Sequence, residues 1–274
     1  RQLAAWGTAL GSWGSFDGKD GAADLDTSTG GFLTGFDAPV NDKVRVGVIA
    51  GYSRTRFDAD ERSSSGTSDN YHLGAYAGAQ HGRLGVRTGA AYTWHNVETS
   101  RSISAPGIAD SASADYDAGT FQAFGEIGYR IDTPAAAVEP FVNLAYVNVK
   151  TDAFREQGGA AALDSARDKS DTVFSTLGVR ASSEFSIGAA QATARATLGW
   201  RHAYGDVVPT NTHSFAGGDG FTVTGVPIAR NSAVLEAGVD MQVGDAATLG
   251  VGYQGQVAKG AQQHGVTATL RVRF

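Results

Sequence analysis

The feature that most constrains the fold of this chain is a strict alternation of apolar residues with small, polar or charged ones. From Val44 to Tyr52 every second residue is apolar or aromatic, and the positions between them include Arg45, Gly47 and Gly51. A period of two indicates a β-strand with one apolar face. The same pattern recurs along the chain and predicts an all-β fold with twelve strands, at 2–16, 31–40, 43–57, 70–80, 83–97, 116–131, 138–154, 172–187, 191–205, 232–243, 246–257 and 265–274. Aromatic residues occupy both faces of 2–16, so the alternation does not assign an outward face to that strand.

The gaps between these segments alternate in length. Short gaps are predicted near 40–43, 80–83, 131–138, 187–191 and 243–246, and long ones at 17–30, 58–69, 98–115, 155–171, 206–231 and 258–264. Antiparallel hairpins with tight turns at one end and loose loops at the other produce this order, as in outer-membrane barrels. An even number of strands places both termini at the end with the short turns. Within 206–231, Phe215, Phe221 and Val223 predict a partly ordered hairpin that lies over or beside the mouth of the barrel.

The apolar face of each strand could point inward, as in a soluble sandwich or a lipocalin-like barrel, or outward to lipid. Aromatic residues near the strand ends favour a membrane barrel, because such residues form girdles at the two interfaces. The opposite face carries charges interleaved with glycine, which suits a narrow wet lumen. We therefore predict a transmembrane antiparallel up-and-down β-barrel, in which the lumen-facing candidates are Arg45, Arg87, Glu126, Arg130, Arg180, Glu184, Arg195, Arg201, Glu236 and Asp240.

Composition excludes several other classes of protein. The chain has no cysteine, which excludes disulfides, cysteine-ligated zinc and thiol catalysis. A formal net charge of -6 without a run of basic residues argues against nucleic-acid binding. Neither a signal peptide nor a helical membrane span is visible in the sequence. It also lacks a phosphate-binding glycine loop, and no cofactor is expected. Because the chain opens at Arg1 without an initiator methionine, we expect it to be the C-terminal part of a larger precursor.

A set of local motifs, in order along nearly the whole chain, resembles the C-terminal β-domain (translocator) of monomeric autotransporters from Gram-negative outer membranes. The motifs are Gly31–Asp37, Val46–Arg54, Asn70–Gly78, Glu139–Tyr146, Phe154–Ala160, Leu198–Asp206 and Leu270–Phe274.

This resemblance implies that residues 1–274 form one twelve-stranded translocator domain, with the passenger, the linker and a pore helix encoded upstream. It implies an integral outer-membrane protein, expected to be a monomer, with both barrel termini on the periplasmic side. The implied partners are its own passenger and pore helix, the barrel-assembly machinery, and outer-membrane lipid and lipopolysaccharide. The family needs no nucleotide hydrolysis, and the terminal strand implies an assembly signal formed by Leu270, Val272 and Phe274.

Two other functions remain open from the residues alone. One is a free-standing outer-membrane pore. The other is an outer-membrane barrel enzyme, although no histidine is followed two residues later by serine, as in the outer-membrane phospholipase. His202 and Asp206 form a conceivable acid–histidine pair near a strand end, but a girdle residue beside a loop residue explains them as well. The lumenal charges also have two interpretations, which are mutual pairing that stiffens the wall and guidance of a translocating chain.

Overall fold

The computed structural model describes residues 2–18, 22–59, 63–105, 108–188, 190–215 and 218–274. Twelve long strands form the wall: β1 Ala4–Phe16, β2 Leu25–Pro39, β3 Val44–Ala59, β4 Ser64–His81, β5 Leu84–Ala105, β6 Ile108–Tyr129, β8 Ala137–Thr151, β12 Asp168–Ile187, β13 Ala190–Gly205, β16 Asn231–Val243, β17 Ala247–Ala258 and β18 Ala261–Arg273. Six short strands lie in the connections: β7 Ile131–Asp132, β9 Phe154–Arg155, β10 Gln157–Gly158, β11 Leu163–Ser165, β14 Thr210–Phe215 and β15 Phe221–Thr224.

The wall is a closed antiparallel barrel, as predicted. Each long strand pairs with the next one along the chain. The first strand, β1, pairs with the last, β18, from Ala4↔Arg273 to Phe16↔Ala261. Closure removes the two free edges that an open sheet would expose. Among the described residues no helix is present.

The apolar face of the strands points outward. Leu198 is 64% exposed and Val251 57%, whereas the buried hydrophobic residues are mainly alanines. The exposed set also includes aromatic residues near the strand ends, among them Tyr52, Trp94 and Tyr204. This arrangement is the reverse of a soluble barrel and matches a wall in contact with lipid, flanked by aromatic girdles. In the part of the chain that the structure describes, no helix is long and apolar enough to cross a bilayer.

Several strands extend beyond their predicted bounds, and some of the predicted long gaps are wrong. β3 and β4 pair up to Ala59↔Ser64 within 58–69, and β17 and β18 pair up to Ala258↔Ala261 within 258–264. The loop predicted at 98–115 is wrong as well. β5 and β6 continue through this segment as one hairpin, with register pairs up to Ala105↔Ile108. The residues there are mostly serine, alanine and aspartate, so the apolar period disappears although the ladder of hydrogen bonds continues. The physical reason is that strands beyond the lipid need no apolar outer face. We call this end of the barrel the long-loop end, and the opposite end the short-turn end.

The connection after β8 folds back onto the inner face of the β5–β6 hairpin. Arg101 binds Glu156 through Nε–Oε1 and Nη2–Oε2 contacts of 2.8 and 2.6 Å. The Tyr116 and Phe154 rings stack with centroids 4.1 Å apart. The Asp110 carboxylate accepts hydrogen bonds from the backbone N–H groups of Ala161, Ser111 and Gly159. These hydrogen bonds lower the pKa of the Asp110 carboxyl.

The hairpin predicted within 206–231 is present as β14 and β15, although Ala216 and Gly217 lie outside the described residues. β14 pairs with β11, and β11 pairs with β9, so the two long connections share one small sheet. The hairpin is therefore tied to the segment that covers the inner face of β5 and β6. The sheet belongs to the long-loop end of the barrel.

Candidate functional site

Four charged side chains form a compact network on the inner wall of the barrel. Arg87 on β5 and Glu126 on β6 are register partners, and Glu139 on β8 pairs with Arg180 on β12. All four occupy positions that alternate with exposed apolar residues such as Ile127. The pleat therefore turns them away from the lipid-facing side.

The network is bonded in both directions around the barrel. Arg87 Nη1 lies 3.0 Å from Glu126 Oε1 and 2.8 Å from Glu139 Oε1. Arg180 reaches the same two carboxylates, with Nη2 3.0 Å from Glu126 and Nη1 2.6 Å from Glu139. Glu126 and Glu139 are only 8% and 9% exposed. The Arg180 guanidinium also lies 4.3 Å from the centroid of the Phe141 ring.

This arrangement neutralises two buried carboxylates with two guanidinium groups. Burying a charge is unfavourable unless it is paired and hydrogen-bonded. Here each carboxylate is shared by both arginines, and Asn143 also donates to Glu126 over 3.3 Å. The network links four neighbouring strands, so it stiffens this part of the wall.

The other lumen-facing candidates on β3, β13 and β16 have weaker or separate contacts. Arg195 binds Asp240 at 2.7 Å, with side chains 53% and 30% exposed. Arg201 donates to Gln256 over 2.8 Å. Arg45 binds Asp37, a residue absent from the predicted set. Glu236 is exposed and borders a cavity of about 240 Å³ beside Arg195.

Two candidates lie apart from these clusters, at the short-turn end. Arg130 follows the last residue of β6 and binds Asp132 at 2.8 Å, with both side chains well exposed. Glu184 is exposed near the end of β12. Their alternation resembles that of the interior positions, but Arg130 lies one residue beyond β6 and Glu184 lies four residues past Arg180, near the end of β12.

Nearer the long-loop end, a second polar ladder lines the interior. His72 contacts Ser53 and Thr93, each over 2.9 Å. His95 contacts Asn70 over 2.7 Å and Thr120 over 2.8 Å. Sequence reasoning missed this ladder, although each residue occupies a position that alternates with an outward aromatic or apolar residue. Its effect is to satisfy buried polar groups across four strands.

The three residues of the predicted assembly signal lie on the outer face of the last strand. Leu270 is 50% exposed and Phe274 64%, with Val272 between them on the same face. The Phe274 amide donates to the Leu3 carbonyl over 3.0 Å. The terminal residue therefore extends the pairing of β18 with the N-terminal segment.

His202 and Asp206 do not form a pair. His202 Nδ1 contacts Asn231 Oδ1 over 2.7 Å, and its ring lies 4.5 Å from the ring of Tyr204. The Asp206 carboxylate accepts the Asp171 amide over 3.0 Å. Within the described ranges, no group of three or more histidine, aspartate or glutamate residues could hold a metal ion. The geometry therefore gives no support to an acid–histidine site here.

Comparisons with known proteins agree with this architecture. The family model described as "Autotransporter beta-domain" matches residues 5–254. An extracellular serine protease of Serratia marcescens is 41% identical over 98% of this chain, which spans 26% of that protein's length.

Two solved structures share the fold. The translocator domain of autotransporter NalP from Neisseria meningitidis has a TM-score of 0.82 at 18% identity, covering 100% of this chain and 89% of that one. The beta domain of the Bordetella autotransporter BrkA has a TM-score of 0.75 at 16% identity, covering 100% of both chains.

Proposed function

Because the chain belongs to the autotransporter beta-domain family, an outer-membrane barrel family, we propose that it anchors a passenger in the outer membrane and assists its passage to the cell surface. The observation that carries this proposal is the closed barrel with an apolar outer wall and a charged, hydrogen-bonded interior. A polar interior gives an extended polypeptide a wet path, and the paired charges offer few unsatisfied groups to hold it.

The proposal extends to the rest of the protein. The chain spans about a quarter of the Serratia protease. We propose that proteolysis resides in a passenger outside the matched quarter, and that the barrel itself performs no catalysis. Labelling of the secreted passenger by a fluorophosphonate probe, in the presence and absence of a serine-protease inhibitor, tests this assignment. A passenger that never reacts with the probe contradicts it.

The orientation and partners belong to the same proposal. The short-turn end, with both termini, faces the periplasm, and the long-loop end faces the exterior. The barrel is a monomer that the barrel-assembly machinery inserts, with Leu270, Val272 and Phe274 as the recognised strand face. Lipid surrounds the apolar wall, and lipopolysaccharide contacts the exposed residues above the outer aromatic girdle.

The lumen is proposed to hold a helix from the segment that precedes the barrel. The inner wall formed by β13, β16 and β17 carries the small residues Gly238 and Gly252 beside a cavity of about 240 Å³, which would let a helix lie close to the strands. If this holds, the conductance of the chain alone in a planar bilayer exceeds that of a version extended upstream by the helix. Equal conductance favours the alternative function, a free-standing pore.

Secretion of a reporter tests the main function. A reporter passenger joined through the native upstream segment to residues 1–274 is expressed in Gram-negative cells, and its surface exposure is measured by its sensitivity to added protease. The matched control is a truncation that removes β16, β17 and β18, which cannot close the barrel. We expect exposure only with the complete barrel. A reporter that stays in the periplasm although the barrel is inserted contradicts the translocator function.

A further inference from the structure

A buried carboxylate at the short-turn end joins the last strand of the barrel to the first four. Asp37 on β2 is 3% exposed. Its Oδ1 accepts Arg45 Nε over 2.8 Å, and its Oδ2 accepts Tyr76 Oη over 3.2 Å. Arg271 Nη1 lies 3.8 Å from the same Oδ2, and Trp6 Nε1 donates to Tyr76 Oη over 2.9 Å.

These side chains come from both sides of the seam, which is the pairing of β1 with β18. Trp6 and Arg271 are direct register partners across it. Arg45 and Tyr76 extend the contacts to β3 and β4. The network of Glu126 and Glu139 instead lies within strands that follow one another along the chain and does not reach the seam.

The seam pairs the two strands that lie farthest apart along the chain. It joins the two ends of the chain, so its loop-closure entropy is the largest of any strand pair in the barrel. Asp37 holds Arg45 within the N-terminal strands, but its contact with Arg271 exists only after β18 has arrived. Its buried charge therefore stabilises the closed state more than an open one.

We propose that Asp37 is the latch of the barrel seam: it holds the closing strand through Arg271 after pairing with β1 is complete. This role concerns the closed barrel itself, whatever passenger it carries. It makes Asp37 a positioning residue that acts on the strand bearing Phe274. Loss of the latch leaves the hydrogen-bond ladder in place but lets the seam open more often.

Amide hydrogen exchange of the refolded barrel, read by mass spectrometry, tests the latch. In Asp37→Asn we expect exchange in β1 and β18 to rise about tenfold, with β5 and β6 close to wild type, because local opening is measured strand by strand. Glu139→Gln is the matched control, with a similarly buried carboxylate and two arginine partners away from the seam. It raises exchange in β5, β8 and β12, the strands that its ion pairs join, and leaves the seam unchanged. Arg271→Gln raises seam exchange about as much as Asp37→Asn, because both substitutions remove the Asp37–Arg271 contact that spans the seam.

A covalent lock keeps the test decisive if Asp37→Asn refolds poorly. Ala9 and Ala268 are register partners across the seam in a chain without cysteine, so Ala9→Cys with Ala268→Cys forms a unique disulfide. We expect the disulfide to restore folding of Asp37→Asn. After the disulfide is reduced, we expect faster exchange at the seam than in the reduced double-cysteine protein that keeps Asp37. Failure of the locked variant to fold overturns the proposal. So does exchange that stays at wild-type level or rises equally in every strand.

Discussion

Replacing Glu139 with glutamine tests whether the inner-wall network stabilises the barrel. The substitution keeps the size of the side chain and removes its charge. Arg87 and Arg180 then retain only Glu126 as a carboxylate partner. We expect a lower free energy of unfolding without a change in the barrel architecture, because the backbone ladder of β8 is untouched.

The magnitude follows from the burial of the three partners. Removing one partner of a fully buried pair costs about 3–5 kcal/mol. The Glu139 side chain is 12% exposed, but those of Arg87 and Arg180 are 40% and 30% exposed, so water screens part of the loss. We therefore expect a cost of roughly 2–3 kcal/mol for Glu139→Gln. The exposed pair of Arg195 and Asp240 supplies the contrast, with about 0–1 kcal/mol expected for Asp240→Asn.

Reversible unfolding in guanidinium, with the barrel in lipid vesicles and the signal from tryptophan fluorescence, measures both variants. A double-mutant cycle with Arg180→Gln isolates the coupling between Glu139 and Arg180. The ratio of folded to unfolded barrel is also read from gel migration, with a boiled sample marking the unfolded band. Agreement between fluorescence and gel migration shows that both report one transition. The reasoning is refuted if Glu139→Gln costs no more than Asp240→Asn, or if the cycle shows no coupling.

Three further outcomes are expected. Deleting Phe274 harms assembly in cells much more than refolding in detergent, since the lost apolar burial is only about 2–3 kcal/mol; equal losses in the two assays leave it a packing residue. Deleting 210–224 lowers the rate of passenger exposure, and an unchanged rate means that the β14–β15 hairpin does not act in exit. The pKa of Asp110 is lowered in the folded protein. Its ionised carboxylate therefore stabilises the segment after β8 fully at pH values above about 4, the ordinary carboxyl pKa. This stabilisation is lost as the pH falls through the lower pKa of the folded state. Proteolysis within 152–167 therefore accelerates at low pH in wild type. Asp110→Asn is already cut faster at neutral pH and accelerates less as pH falls; the remaining acceleration comes from Asp164, whose pKa is also lowered by its hydrogen bond with Arg155.

Much of the barrel could be predicted from local pattern. Alternation around Val46 and Tyr52 identified β3, and the aromatic residues at the strand ends assigned the apolar face to lipid. The same signal failed at 98–115, where β5 and β6 leave the lipid and need no apolar face. It also carried no trace of the sheet joining β11 and β14, because three residues of β-strand in a loop have no period to read.

The candidate site divides in the same way. Alternation placed Arg87, Glu126 and Arg180 on one face, since a period of two separates the faces of a strand. It missed Glu139 because that carboxylate lies near the start of its strand, before the apolar run is established. Asp37 was missed for the corresponding reason at the end of β2.

The sequence by itself determined that this chain forms a series of amphipathic strands, each with one apolar face, because successive side chains in a strand point to alternate faces. Which charges meet depends on register and on closure, which no local pattern encodes. Glu139 faces Arg180 because β8 pairs with β12 in one register, and it reaches Arg87 across β6 because the wall curves. Asp37 meets Arg271 only because the two ends of the chain pair at the seam. Tertiary structure alone decided those contacts, since their partners lie tens to hundreds of residues apart.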